Sequence, residues 1–304
     1  MNRLRARGIL LETNKLEFPS DKIEFAGFSS YISSSKQEIQ GEKLWNLLFE
    51  RNLDFGGFFI ELSGIMGSGK TSLMGRMARR IVKENPGEFI YWHEPLGNPL
   101  QVTKTGDNFQ ILCDKRMPVK VLEITNGLKP AEDIEVRYFR GFKELINMSH
   151  EGMINVVFFK DLYRWVDFLI RVKLNPNWQT FFFDEFEDVC PSRCRSKLWS
   201  KNELFASSIK EIRKSNVNVI YNTQQGMDID YRIRSKLMLH LYLYGSRGDE
   251  LSPVFKKALQ GLDLGQGWID YGFALFGLIN FKPLYPGKRI YTVIPTDSRG
   301  AKFV

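Results

Sequence analysis

The run Gly64-Ile65-Met66-Gly67-Ser68-Gly69-Lys70-Thr71 constrains this chain more than any other feature. It satisfies G-x-x-x-x-G-K-[ST] at every fixed position. Small residues in such a loop let successive backbone N–H groups close around a chain of phosphates. The loop works only between a strand and a helix, and both flanks are present. Residues 57–63 read as an apolar strand, and residues 71–82 as a helix whose N-terminal dipole favours anions. On this reading Gly64, Ile65, Met66, Gly67, Ser68, Gly69, Lys70, Thr71 and Ser72 hold ATP. Lys70 reaches the β- and γ-phosphates, and the Thr71 hydroxyl binds Mg²⁺.

The segments downstream alternate in the way this loop requires. Strands are expected at residues 88–93, 153–159, 180–183, 218–222 and 237–244, with helical spacing at Leu162, Trp165, Val166, Leu169 and Ile170 and at Leu204, Phe205, Ile209 and Ile212. This alternation predicts an α/β fold with a central, mainly parallel sheet flanked by helices. Residues 100–140 read as an irregular insertion with short strands. Residues 188–201 read as a polar, basic loop, and residues 37–53 as a helix. Short β segments follow residue 267. The expected organisation is an N-terminal extension over 1–55, an ATPase core over 56–265 with an insertion near 95–140, and a small β-rich C-terminal segment over 266–304.

The chain has 304 residues, 43% of them hydrophobic, with 24 Phe and 6 Trp, enough for one large aromatic-rich core. The three cysteines, Cys113, Cys190 and Cys194, argue against a disulfide framework and for a reducing compartment. Cys190-x3-Cys194 lacks a second pair to complete a zinc site. The longest apolar stretch, residues 271–279, is about half the ~20 residues a membrane span needs. No signal peptide is visible, so a soluble, cytoplasmic protein is expected. The net charge of +8 weakly favours polyanionic partners.

Two further motifs carry chemistry. Phe181-Phe182-Phe183-Asp184-Glu185 is a Walker B pattern, an apolar strand ending in a carboxylate pair. Asp184 is placed to hold the Mg²⁺ shell, and Glu185 to polarise an attacking water as general base. A kinase needs no such Glu, so the pair points to hydrolysis coupled to motion. The strand at Asn218–Asn222 then ends in Thr223-Gln224-Gln225. Gln224 is placed to hydrogen-bond the γ-phosphate or the lytic water, with Gln225 as the competing candidate.

P-loop, Asp-Glu Walker B and strand-terminal Thr-Gln, in this order, resemble the HerA–FtsK superfamily of DNA-pumping ATPases. Within it the chain looks most like the small archaeal, viral and plasmid ATPases, a group that includes genome-packaging enzymes and zonula-occludens-toxin-like proteins. The resemblance covers residues 57–247. Arg213 before the Thr-Gln strand, Arg232 and Arg234 after it, and Ser246-Arg247 after the next strand match that layout. It implies a P-loop NTPase of the RecA/ASCE type, acting as a homo-oligomer, commonly a hexameric ring. An arginine from one subunit then completes the neighbour's site. Arg247 is the first candidate and Arg213 the second, with Arg234 also considered.

The 63 residues before Gly64 are too few for the N-terminal barrel of cellular HerA proteins. Together with the lack of a span, this points to a compact motor of the viral-packaging type. DNA contacts without sequence preference are expected from Arg193, Arg195, Lys197 and Lys201, with Trp199 among them. The leading expectation is a Mg²⁺-dependent ATPase that translocates DNA. The alternative is a nucleotide-controlled assembly or switch ATPase acting on protein partners.

Overall fold

A computed structural model describes residues 23–30, 56–102, 108–125, 127–172, 176–194, 196–248, 251, 253–271, 275–281 and 289–296. The helix expected at residues 37–53 lies outside them.

Apolar periodicity places the first helix. After β1 (Ile23–Ser30) and β2 (Phe59–Ser63) comes α1 (Lys70–Glu84), which buries Leu73, Met74, Met77, Ala78 and Ile81 along one stripe. It ends at Asn85, just before Pro86, a residue that cannot continue a helix. The chain continues through β3 (Phe89–His93), β4 (Phe109–Asp114), β5 (Val119–Glu123), β6 (Lys129–Pro130) and β7 (Val136–Phe139). Next come α2 (Phe142–Met148), β8 (Ile154–Phe158), α3 (Arg164–Val172) and β9 (Gln179–Phe183). Then follow α4 (Ser196–Lys214), β10 (Val217–Thr223), α5 (Tyr231–Arg234), β11 (Leu239–Leu243) and α6 (Pro253–Gln260). Strands β12 (Gln266–Tyr271), β13 (Leu275–Phe281) and β14 (Tyr291–Pro295) come last.

Among the described residues, the central sheet has eleven strands in the order β1-β13-β12-β11-β2-β10-β9-β3-β8-β4-β7. From β11 to β7 every neighbouring pair is parallel. The strands β12, β13 and β1 extend it in antiparallel fashion. A separate three-stranded antiparallel sheet, β14-β5-β6, joins the end of the chain to the segment after β4. This is the expected α/β class. Two strands of the segment read as an irregular insertion, β4 and β7, belong to the central sheet.

Buried strands of a parallel sheet are apolar on both faces, and β9 is buried along its whole length. Alternate residues feed two cores. Ile60, Leu62, Trp92, Phe182 and Ile220 pack with α1 on one face. Phe59, Tyr91, Phe181, Phe183, Val219 and Tyr221 pack on the other with Trp165, Phe168 and Phe205. The second core is strongly aromatic: Tyr91 stacks on Phe181 at 4.8 Å and Phe186 on Tyr221 at 4.4 Å between ring centroids. The abundance of Phe is used here. The parallel arrangement brings the carboxyl ends of β2, β10, β9 and β3 to one edge of the sheet, where ligands bind in open α/β folds.

Candidate active site

The loop between β2 and α1 turns on residues that need left-handed backbone. Gly69, the residue capping α1, has φ 95°, a conformation glycine adopts without penalty. The Lys70 ammonium donates to the carbonyls of Gly64 at 2.7 Å and Ile65 at 3.0 Å. Burial lowers the Lys70 pKa, while Asp184, Glu187 and Glu185 oppose that shift. The Ser68 hydroxyl is buried with no hydrogen-bond partner among the described residues.

Strand β10 lies between the P-loop strand β2 and the Walker B strand β9. That order brings the three motifs together. Thr71 Oγ1 donates to Asp184 Oδ1 at 3.0 Å. The Asn222 amide sits between them: its Nδ2 donates to Asp184 Oδ1 and lies 3.4 Å from Thr71 Oγ1. Its Oδ1 accepts the Glu185 backbone N–H at 2.9 Å. Glu185 itself has φ 56°, uncommon for a residue with a side chain. The hydrogen bond from its backbone N–H to Asn222 Oδ1 is one restraint on that conformation.

These groups line a cleft of about 460 Å³ with the P-loop, Glu94, Glu187 and Gln224. Acids are crowded in it. Burial raises the Glu185 pKa, and Asp184, Asp188 and Glu187 add to the rise, with Lys70 opposing. Burial also raises the Glu187 and Asp188 carboxyls. Thr71 and Asp184 present hard oxygen donors side by side, a set that suits Mg²⁺.

The structure treats the candidate residues differently. Gln224 lines the cleft and donates its backbone N–H to Glu187 Oε1 at 3.4 Å, whereas Gln225 accepts from Arg247 Nη1 at 3.3 Å. Arg247 is exposed on the loop after β11, beside Ser246, whose hydroxyl is 2.9 Å from that of Ser63. Arg213, the second arginine candidate, lies away from this chain's own cleft. It sits at the opposite end of the sheet, where its Nε donates to the Gly57 carbonyl at 3.0 Å and braces the entry to β2. Arg234 is drawn inward to the buried Glu61, 3.3 Å from its Oε2.

The basic loop at 188–201 is corrected. A 3₁₀ turn spans Phe186–Asp188 and α4 begins at Ser196. Arg193 is exposed, Lys197 lies 4.5 Å from the Tyr163 ring centroid, and Lys201 pairs with Asp167. Arg195 lies outside the described residues. One face of Trp199 is covered by the Arg232 guanidinium at 4.4 Å.

Three cleft residues escaped the sequence reading. Glu187 sits in the 3₁₀ turn after β9, where its carboxyl accepts the Gln224 N–H. Glu94 is buried and receives the Gln101 N–H at 2.9 and 3.0 Å. Asn222 was read only as part of a strand. The available signal was position: Glu94 and Asn222 stand at the carboxyl ends of central strands, as Asp184 does, and Glu187 follows in the turn after β9.

Known protein families offer no match to the sequence, and curated proteins offer none either. Solved structures do match. The genome packaging NTPase B204 from Sulfolobus turreted icosahedral virus 2, in complex with ATP-gammaS, aligns at TM-score 0.50 and 12% identity, over 75% of this chain and 98% of that one. Its complex with sulfate aligns at TM-score 0.51 and 13% identity, over 76% and 99%. The chain therefore has the fold of a P-loop NTPase, shared with B204, as the three motifs suggested. No helix among the described residues is long and apolar enough to cross a membrane.

Proposed function

We propose that this chain is a Mg²⁺-dependent ATPase that moves DNA and is assembled as a ring, a reading supported by the fold it shares with the genome packaging NTPase B204. One observation carries the reading: Thr71, Asp184, Glu185 and Gln224 converge on the P-loop cleft, at the ends of strands that are adjacent in the sheet. Lys70 and the P-loop amides bind the phosphates, and Thr71 and Asp184 hold the metal. Bound Mg²⁺ would neutralise phosphate charge. Glu185 accepts a proton from water, its raised pKa bringing a carboxylate nearer to the strength such a base needs. Gln224 orients that water or senses the terminal phosphate. Arg247, exposed beside the cleft, is the arginine placed to meet a neighbouring subunit. DNA is held without sequence reading, with Arg193, Lys197 and the Trp199–Arg232 stack as first contacts.

The test is steady-state ATP hydrolysis with and without duplex DNA, at low and high salt, beside Lys70→Ala. DNA stimulation that salt removes is the expected result. Robust hydrolysis indifferent to DNA moves the assignment to an assembly ATPase acting on protein partners.

A further inference from the structure

The carboxyl edge of the sheet continues past the nucleotide cleft, and its charge changes sign there. Strands β3, β8, β4 and β7 run parallel to β9, so their exits share that edge. The exits of β4 and β7 are tied together by the Lys115 N–H, which donates to the Phe139 carbonyl at 2.9 Å. This sets exposed Lys115 and Arg116 beside exposed Arg140 and Lys143. Arg116 reaches Asp161 in the β8–α3 loop at 3.4 Å, next to exposed Lys160. Tyr163 donates to the same Asp161 at 3.4 Å, and Lys197 at the start of α4 donates to the Tyr163 hydroxyl at 3.4 Å. A chain of contacts therefore links the turns after β4 and β7 to the first turn of α4.

The acids on this path do not cancel it. Asp114 is fully buried and taken up by Arg116 and Arg164. Glu144 caps the Arg140 N–H at 2.8 Å, and Asp161 and Asp188 remain. Lys115, Arg140, Lys143 and Lys160 form no ion pair with any described residue.

We propose that Lys115, Arg116, Arg140, Lys143, Lys160 and Lys197 form one phosphate-binding track for duplex DNA, with four of its six charges supplied by the stretch from the end of β4 through the first turn of α2 and not by the residues after Walker B. The inference rests on the DNA reading above. From β7 to β9 the track crosses four strand spacings, roughly 19 Å at ~4.8 Å each, about half a turn of a duplex whose repeat is ~34 Å. A row of cations over that length meets backbone phosphates without reading bases.

The test is duplex binding by fluorescence anisotropy across a salt series, using the full chain. In Lys115→Glu/Arg140→Glu/Lys143→Glu, affinity at low salt should fall at least tenfold, and the slope of log K against log salt should flatten by about 2 to 3. The matching Gln variant should show a smaller loss of the same kind. Lys83→Glu/Lys210→Glu/Lys214→Glu makes the same change in net charge on exposed residues elsewhere and should keep the wild-type slope. If both triple Glu variants lose affinity equally, or if neither does while wild type binds, the track is wrong. If wild type binds no duplex at any salt, the DNA reading itself fails. Displacement of DNA by polyglutamate at equal charge would overturn the duplex as occupant in favour of an acidic protein.

Discussion

Glu185 stands among four neighbours that bear on its charge. Asp184, Asp188 and Glu187 hold its carboxyl above the ordinary glutamate range, beyond the effect of burial, and Lys70 pulls it back. As a base it must be ionised, so hydrolysis should fail on acidification at a pH above that of a free glutamate. Removing a neighbouring acid by Glu187→Gln should move that acid limb to lower pH, which a kcat–pH profile would show. An unmoved limb would assign it to another group. A raised carboxyl pKa in the folded state costs stability as pH rises through it. Glu185→Gln should therefore melt higher than wild type at neutral pH while losing about 10²–10⁴ in kcat and keeping ATP binding. Turnover that survives would remove Glu185 as base. Asn222 acts on the same carboxylates through position. Its amide holds the Glu185 N–H at 2.9 Å and donates to Asp184. Asn222→Ala should lower kcat by about 10–100-fold, since small misplacements of reacting groups are costly, with nucleotide affinity measured by a fluorescent analogue little changed.

At the scale of elements, the site depends on β10 being slotted between β2 and β9. Gly57 controls that slot. A Cβ there would lie 1.8 Å from the Val217 carbonyl oxygen, a backbone atom that cannot swing away, and Gly57 N–H bonds Arg213 O at 2.7 Å. Gly57→Ala should destabilise by about 3 kcal/mol or more, read as a lower urea midpoint, and should weaken ATP binding with it. A neutral effect would mean that the two strands can separate without cost. The same slot explains what could be read in advance. The P-loop, Asp184-Glu185 and Gln224 each announce themselves within a few residues, because strand, turn and chemistry are contiguous there. Asn222 and Glu94 gain meaning only from which strand lies beside which. The sheet that the short strands of residues 100–140 join was hidden because their partners are distant in sequence: β4 pairs with β7 and β8, and β5 with β14 more than 160 residues later. The start of α4 read as a loop because its first turns carry Lys197, Trp199 and Ser200 at exposed positions, and its apolar repeat becomes regular only at Phe205.

At the scale of the molecule, the cleft opens on a rim with unusual apolar exposure. Met66 is 81% exposed and Leu264 65%, both lining the cleft, and Met227, which shares a small adjoining pocket with Gln224 and Arg247, is 62% exposed. Exposed apolar residues gathered around a cleft mark surfaces that partners cover, and Arg247 lies on the same rim, held only by Gln225 among the contacts described above. If a neighbouring copy covers this rim, Arg247 serves that copy's site and not its own. Arg247→Ala should then abolish hydrolysis, in the range of 10³–10⁵-fold for a true finger, while leaving nucleotide affinity intact. Lys70→Ala is inactive for a different reason, yet it still carries a sound Arg247. In a ring mixed at equal ratio, about one interface in four pairs an intact P-loop with an intact arginine, so activity should return to a measurable fraction of wild type. An arginine acting within its own subunit gives no rescue, because neither parent owns a complete site. Full activity of Arg247→Ala alone would remove the residue from catalysis and leave the rim as an interface without a finger.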